Sequence, residues 1–335
     1  MPSLRDFRAG KPGYYPDQTI YAEFASAESG LVFHEASAGS GLVCSVASPA
    51  RRVWFGAGRC SWFPQNNATA SSLATDKYFA NLILERGGIP TLGGEYFFLH
   101  DRYRAHRASG RERSDAVTYF RTLNGAAFIK PLTGSRGDFA QVIGDEAALD
   151  AYLDEVLRYY DSVLIQPMFS GQEYRIFLID DEVVFSARKH EPFVIGDGVR
   201  SVRELLADHD AALRARGISS VMIAHPGDTS DVVPASGERW ALRGRMNLSA
   251  GGTMVLEAPL AEGAAFALAR QARQALGLRV AAVDLFTHIG GDPQAIRLIE
   301  VNANPSIRFL EQCDRPDLIL KIWRHTFSAM GLLGV

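Results

Sequence analysis

The chain has 335 residues, enough for two or three packed lobes. Apolar residues make up 47% and charged residues 22%, as in an ordinary soluble globular protein. A formal net charge of -3 leaves no electrostatic footprint for nucleic acid or for an anionic membrane surface. The cysteines Cys44, Cys60 and Cys313 are odd in number and widely spaced, which argues against a disulfide framework or a zinc site and for free thiols. The first residues, MPSLRDFRAGKPGYYPDQ, lack the apolar core of a signal peptide. No apolar run approaches the ~20 residues of a membrane span, so a soluble, cytoplasmic protein is expected.

Residues 1–70 read as a small β-rich N-terminal lobe. Short strand-like runs at 30–33, 42–46 and 52–55 sit among Gly, Ser, Ala and Pro, with no amphipathic helix of any length. A Gly-Ser-Gly at 39–41 is better read as a turn than as a phosphate loop, because no helix start follows it. One helix is predicted over 71–86, with Leu73, Tyr78, Leu82 and Ile83 as its apolar stripe and Gly87-Gly88 as its end. The arginine-rich segment 100–115 has almost no aliphatics and is expected to be a solvated loop, or one that folds over bound substrate.

A strand at 126–131 enters the loop LTGSRGDF, and an amphipathic helix follows over 145–160. An apolar strand at 163–168 precedes a hairpin of 174–179 and 183–187. Helices are expected near 202–214 and 264–276, and strands at 280–286 and 296–301 joined by Gly-Gly-Asp-Pro. The alternation of strands and helices predicts an α+β fold with an antiparallel sheet covered by helices.

Four stretches could carry chemistry. On a strand, alternate side chains share a face, so Glu300 and Asn302 look one way while Val301 looks into the core. If the last two strands pair, Asp284 stands opposite them, and two carboxylates with an amide oxygen suit Mg²⁺ or Mn²⁺ carrying nucleotide phosphates. The plainer alternative is a strand end and a turn. Lys130-Pro131 before Gly134-Ser135-Arg136-Gly137 places a cation at a strand end, ahead of backbone N–H groups that can close over phosphate. The apolar run ending Gln166-Pro167-Met168-Phe169 is a plausible adenine slot, with Glu173 placed for ribose hydroxyls; a core strand and turn is the alternative. Arg245 and Asn247, ahead of Gly251-Gly252, could stabilise an anion close to the backbone, or form a surface salt bridge.

In order, the chain shows Asp76-Lys77, Lys130-Pro with its Gly loop, Gly-x-Glu173-Tyr-Arg175 and Val194-Ile-Gly-Asp-Gly198. Arg245-Met-Asn247, Asp284 and Glu300-Val-Asn302-x-Asn304-Pro305 follow. This order, over about 67–330, resembles the ATP-grasp superfamily of carboxylate–amine ligases. It is most similar to the ligase portions of cyanophycin synthetase and the bifunctional glutathione synthetases. The resemblance implies the ATP-grasp fold, two α+β lobes clasping ATP. They would occupy about 118–170 and 171–330 of a domain spanning 71–335, behind the N-terminal lobe.

It also implies an amide-forming reaction through an acyl phosphate, releasing ADP and phosphate, with ATP and Mg²⁺ or Mn²⁺. Carried over by position, Lys77 and Lys130 would bind ATP phosphates under a mobile lid of Gly134, Ser135, Arg136 and Gly137. Gln166, Pro167, Met168 and Phe169 would line the adenine pocket, and Glu173 would hold the ribose. Asp284, Glu300 and Asn302 would carry the metal, and Arg245, with Arg188 and Asn247, would stabilise the acyl phosphate and oxyanion. Gln166 stands where many relatives have Glu, and Arg136 and Asp138 add charge to the loop.

Small amino acid or peptide substrates are expected, with no nucleic acid and no membrane, and relatives of this kind allow for a homo-oligomer. A single ligation is the simpler expectation, because the chain ends at Val335 with no second ligase domain. Two rival readings share the site: a kinase acting on a small molecule, and a catalytically silent nucleotide-binding regulatory protein.

Overall fold

The computed structural model describes residues 2–56, 62–134, 137–215, 231–242 and 252–334, with the backbone alone at 212–215. The chain opens with helices α1 (Leu4–Arg8) and α2 (Asp17–Glu28) and the antiparallel strands β1 (Val32–Glu35), β2 (Val43–Ala47) and β3 (Arg52–Gly56). Helices α3 (Ala68–Thr75) and α4 (Lys77–Arg86) lead to β4 (Glu95–Phe98), α5 (Arg113–Thr122), β5 (Ala127–Pro131), β6 (Gln141–Ile143), α6 (Glu146–Val156) and β7 (Ser162–Gln166). These four strands form one antiparallel sheet in the order β4-β7-β5-β6, with α5 and α6 packed on its core.

A second antiparallel sheet, in the order β12-β9-β8-β13-β14, is built from β8 (Gln172–Ile179), β9 (Glu182–His190), β12 (Thr253–Leu256), β13 (Val280–Thr287) and β14 (Arg297–Asn302). Between β9 and β12 the chain makes a small unit of β10 (Phe193–Ile195), α7 (Val202–Ala215) and β11 (Arg239–Ala241) around Val194, Val202, Leu205 and Leu242. Helix α8 (Glu262–Ala275) precedes β13, and α9 (Arg308–Gln312) and α10 (Pro316–Ala329) close the chain. The fold is α+β, and no helix among the described residues is long and apolar enough to cross a membrane. Cys44 and Cys313 are free thiols, one buried and one partly buried; Cys60 lies outside the described residues.

The five-stranded sheet has two covered faces. Tyr174, Ile176, Leu178, Val283 and Leu285 pack under α3, α4 and α8. Phe177, Ile179, Ala187, Val280 and Ala282 share the opposite core with α2, the first three strands and α10, where Trp323 and Phe63 are fully buried.

Three local expectations are corrected. The N-terminal segment does contain a helix of some length, α2, and it has no amphipathic stripe because it is buried nearly all round. Ile20, Tyr21, Phe24 and Ala25 are buried together with Gln18, Thr19 and Ser26. Thr19 Oγ1 donates to Gly41 O at 2.6 Å, Ser26 Oγ donates to Ala22 O at 2.6 Å, and Gln18 donates Nε2 to Pro305 O at 3.3 Å. The Gly-Ser-Gly at 39–41 lies in the β1–β2 connection, and Gly41 cannot carry a Cβ without meeting the Tyr15 ring at 2.6 Å.

The helix expected over 71–86 is two helices. Asp76, extended at ψ 104°, interrupts the run and caps α4 by accepting from Tyr78 N at 3.1 Å and Phe79 N at 3.0 Å. A one-residue break leaves the apolar period almost intact, so periodicity cannot reveal it.

Residues 101–106 are exposed, as a solvated loop requires, but Arg107 and Arg111 are held more tightly, and α5 begins within the range at Arg113. Arg107 stacks over Phe98 at 4.2 Å and donates to Glu112 Oε2 at 2.7 Å, and Arg111 lies 4.7 Å over Tyr96 while pairing with Glu95.

One side chain ties the N-terminal connection to the five-stranded sheet. Asn66, 5% exposed, donates Nδ2 to Val280 O at 2.8 Å and Ala303 O at 2.9 Å, and its Oδ1 accepts from Arg279 N at 2.8 Å and Val280 N at 2.9 Å. Truncation orphans backbone groups at the start of β13 and just beyond the end of β14. Asn66→Ala should therefore lower stability by about 3 kcal/mol or more in urea unfolding, and Asn66→Asp, which would set a buried carboxylate oxygen against both carbonyls, by at least as much.

Candidate active site

Register decides which side chains meet. Asp284 lies between Arg175 of β8 and Glu300 of β14, and Asn302 is paired with Ala282 two residues away. The period of two therefore places Glu173, Arg175, Asp284, Glu300 and Asn302 on one face of the sheet, while Tyr174, Val283 and Val301 face the α8 core. A bulge between Asp284 and Leu285 changes the pairing next to the carboxylate.

The Asp284 carboxylate is 1% exposed and accepts from two cations. Arg175 Nε donates to Oδ1 at 2.8 Å and its Nη2 to Oδ2 at 2.7 Å, while Lys189 Nζ from β9 reaches Oδ2 at 2.8 Å. Lys189 also pairs with Glu173. Burial pushes the Asp284 carboxyl up, but the charges of Arg175 and Lys189 outweigh it and hold it well below the usual carboxylate range. Burial likewise disfavours the charge on Arg175 and on Lys189, and the neighbouring carboxylates reverse that in both. Beside this network Asn302 Nδ2 donates to Glu300 Oε1 at 3.1 Å.

Two further lysines come from the other sheet and from α4. Lys130 on β5 is 6% exposed. Burial pushes its ammonium down to about 8 and Lys77 adds to that, against the pull of Glu300, Glu173 and Asp284. Lys77, the first residue of α4, donates Nζ to Gly134 O at 2.5 Å and so holds the start of the loop after β5. Burial lowers its pKa as well, opposed by Glu300 and Asp76. Gly137, at φ 70°, follows that loop; Ser135 and Arg136 lie outside the described residues.

At the end of β7, Gln166 is fully buried and donates Nε2 to Gly93 O at 2.7 Å, while its Oε1 has no hydrogen-bond partner. Gly94, at φ 111°, permits this approach: a Cβ there would meet Ile165 O at 2.5 Å. Pro167 is partly buried and Met168 is exposed, while Phe169 lines a cleft of about 480 Å³ with Glu85, Ile89, Thr91 and Arg297.

The structure thus brings Lys77, Lys130, Glu173, Asp284, Glu300 and Asn302 into one electrostatic neighbourhood. It does not bring Arg188 there. Arg188 is paired in register with Tyr174, and both reach Glu257, Arg188 Nη1 at 3.5 Å and Tyr174 Oη at 3.2 Å, on the α8 face. Arg245 and Asn247 lie outside the described residues.

Sequence reasoning missed Lys189 and gave Arg175 no role. A signal for Lys189 was present: it occupies the same strand parity as the buried Phe185 and Ala187, where a lysine is out of place unless it has a partner. Among the described residues no three His, Cys, Asp or Glu side chains make a self-sufficient metal cage. Asp284, Glu300 and Asn302 are an oxygen-only set too small to enclose an ion, which fits a Mg²⁺ site completed by phosphate and water oxygens.

No protein-family model matches the chain. It is 26% identical over 251 residues to the glutathione biosynthesis bifunctional protein of Desulfotalea psychrophila, covering 69% of this chain and 31% of that protein. It is 28% identical over 256 residues to cyanophycin synthetase of Trichormus variabilis, covering 70% of this chain and 27% of that protein. The chain therefore spans less than a third of the length of these relatives. Its fold matches a bifunctional glutathione synthetase from Pasteurella multocida with a TM-score of 0.57 at 20% identity, covering 96% of this chain and 44% of that one. It also matches D-alanine–D-alanine ligase from Bacillus anthracis with a TM-score of 0.50 at 13% identity, covering 79% and 72%. The chain thus shares the fold of these ligases and is similar in sequence to parts of the glutathione biosynthesis protein and of cyanophycin synthetase.

Proposed function

We propose that the protein is an ATP-dependent carboxylate–amine ligase that joins an amino acid or short peptide to an amine through an acyl phosphate. The observation that carries this reading is the convergence of the buried Lys130 and the partly buried Lys77 with an all-oxygen donor set on one sheet face. Lys130 and Lys77 supply point charges for ATP phosphates, under the loop of Gly134, Ser135, Arg136 and Gly137. Gln166, Pro167, Met168 and Phe169 flank the adenine. Lys189 takes Glu173 Oε1, and Oε2 is the oxygen assigned to the ribose hydroxyls.

Asp284, Glu300 and Asn302 would hold Mg²⁺ or Mn²⁺, which supplies neutralisation of polyphosphate charge. The substrate carboxylate attacks the γ-phosphorus as the bond to ADP breaks; the amine then attacks the acyl carbon, loses a proton and expels phosphate. Arg245 and Asn247 are assigned by sequence to the oxyanion of that second step. Arg188, on the α8 face beside Glu257, is left out of this assignment. The two clasping lobes are assigned to the two antiparallel sheets, the first beginning with β4 rather than at about 118 and the second over about 171–330, and the amine and carboxylate are small amino acids or peptides.

The deciding assay is ADP release with pooled amino acids and peptides, followed by mass spectrometry of active pools. An amide with one water lost from its two parents is expected. A phosphorylated product without an amide would convert the reading to a kinase, and a folded, nucleotide-bound protein that releases no ADP in any pool would defeat it. Glu300→Gln should lower kcat at least a hundredfold with the fold intact by circular dichroism.

A pH dependence follows from Lys130. Its charged form is present below about 8 and lost above it, and phosphate binds the charged form. ADP affinity should therefore weaken as pH rises from about 7.5 to 9.5, up to tenfold per unit, while Lys130→Met binds weakly and shows no such slope in calorimetry.

A further inference from the structure

Lys189 Nζ reaches two carboxylates at once, Asp284 Oδ2 at 2.8 Å and Glu173 Oε1, with its side chain 2% exposed. Asp284 also carries the bidentate Arg175, so a carboxylate assigned to a metal already holds two cations. Around it, Lys130 acts on Glu300, Glu173 and Asp284 and Lys77 on Glu300 and Asp76, so among the described residues four cations already balance four carboxylates. A dication entering by itself must displace a cation from Asp284 and adds unbalanced positive charge to a poorly screened interior. A metal joined to a polyphosphate brings net negative charge instead.

We propose that Lys189 is an internal counter-ion that keeps a divalent metal off Asp284 until nucleotide phosphate draws the ammonium away. Metal and nucleotide then bind together, and metal alone is excluded. This rests on the reading of Asp284, Glu300 and Asn302 as the metal position. Lys189 is a positioning residue here, because it acts on the metal through a shared carboxylate.

The test counts free Mn²⁺ by electron paramagnetic resonance with the full chain, with and without β,γ-imido-ATP, correcting for Mn²⁺ held by nucleotide in solution. The wild-type chain should bind Mn²⁺ at least tenfold more tightly with the nucleotide than without it. Lys189→Met should tighten binding of Mn²⁺ alone by tenfold or more, whereas Lys189→Arg, which keeps the cation, should leave it weak. Unchanged affinity for Mn²⁺ alone in a folded Lys189→Met overturns the proposal. So does equal wild-type affinity with and without nucleotide, a comparison that stands even if the Met variant does not fold. If the wild-type chain takes up nucleotide but no Mn²⁺ under either condition, the metal position itself is wrong and this inference falls with it.

Discussion

The structure turns on the carboxylate of Asp284, buried in the middle of a sheet and held by Arg175 and Lys189. A lone charge there would cost several kcal/mol, so β8 and β9, successive strands on one side of β13, each deliver a cation, and Lys189 must in turn be balanced by Glu173. The need for one cation from each of these two strands sets the register of β8, β9 and β13, because a slip of one residue would turn a charge into the α8 core. It also explains why one face of the sheet changes character along its length. The charged residues occupy one end, and Phe177, Ala187 and Ala282 continue the same face as an apolar core.

The N-terminal segments pack on that apolar end, with α2 and α10 enclosing it. Asn66 joins β13 to β14 at this end by holding the backbone where β13 begins and where the chain leaves β14 past Asn302. The strand carrying Asp284 is thereby anchored at its start by a side chain from a distant stretch of sequence. A site built on such strands is held more firmly than one built on loops, since the backbone around it is already committed to hydrogen bonds.

Lys77 and Lys130 bring two more cations to the site, beside Glu300 and Asp76. Buried lysines are disfavoured, and burial lowers the pKa of both even with Glu300 nearby. Ammonium groups held under such strain are poised to gain from an arriving polyanion, and functional sites commonly retain strain of this kind. Gln166 is a parallel case, since its Oε1 is a buried acceptor without a partner at the end of β7.

Alternation along 296–301 was enough to place Glu300 and Asn302 on one face, and the cap and turn residues marked most strand and helix limits within a few positions. Helix α2 was not readable, because a helix buried on nearly every side shows no polar stripe. Nor could the sequence choose between Arg188 and Lys189. By itself it determined that these two side chains point to opposite faces of a strand. Only the packing of α8 against one face of the sheet, and of Asp284 on the other, decided that Lys189 belongs to the site and Arg188 to Glu257. Strand alternation is local, whereas the identity of each face depends on contacts made across more than seventy residues of intervening chain.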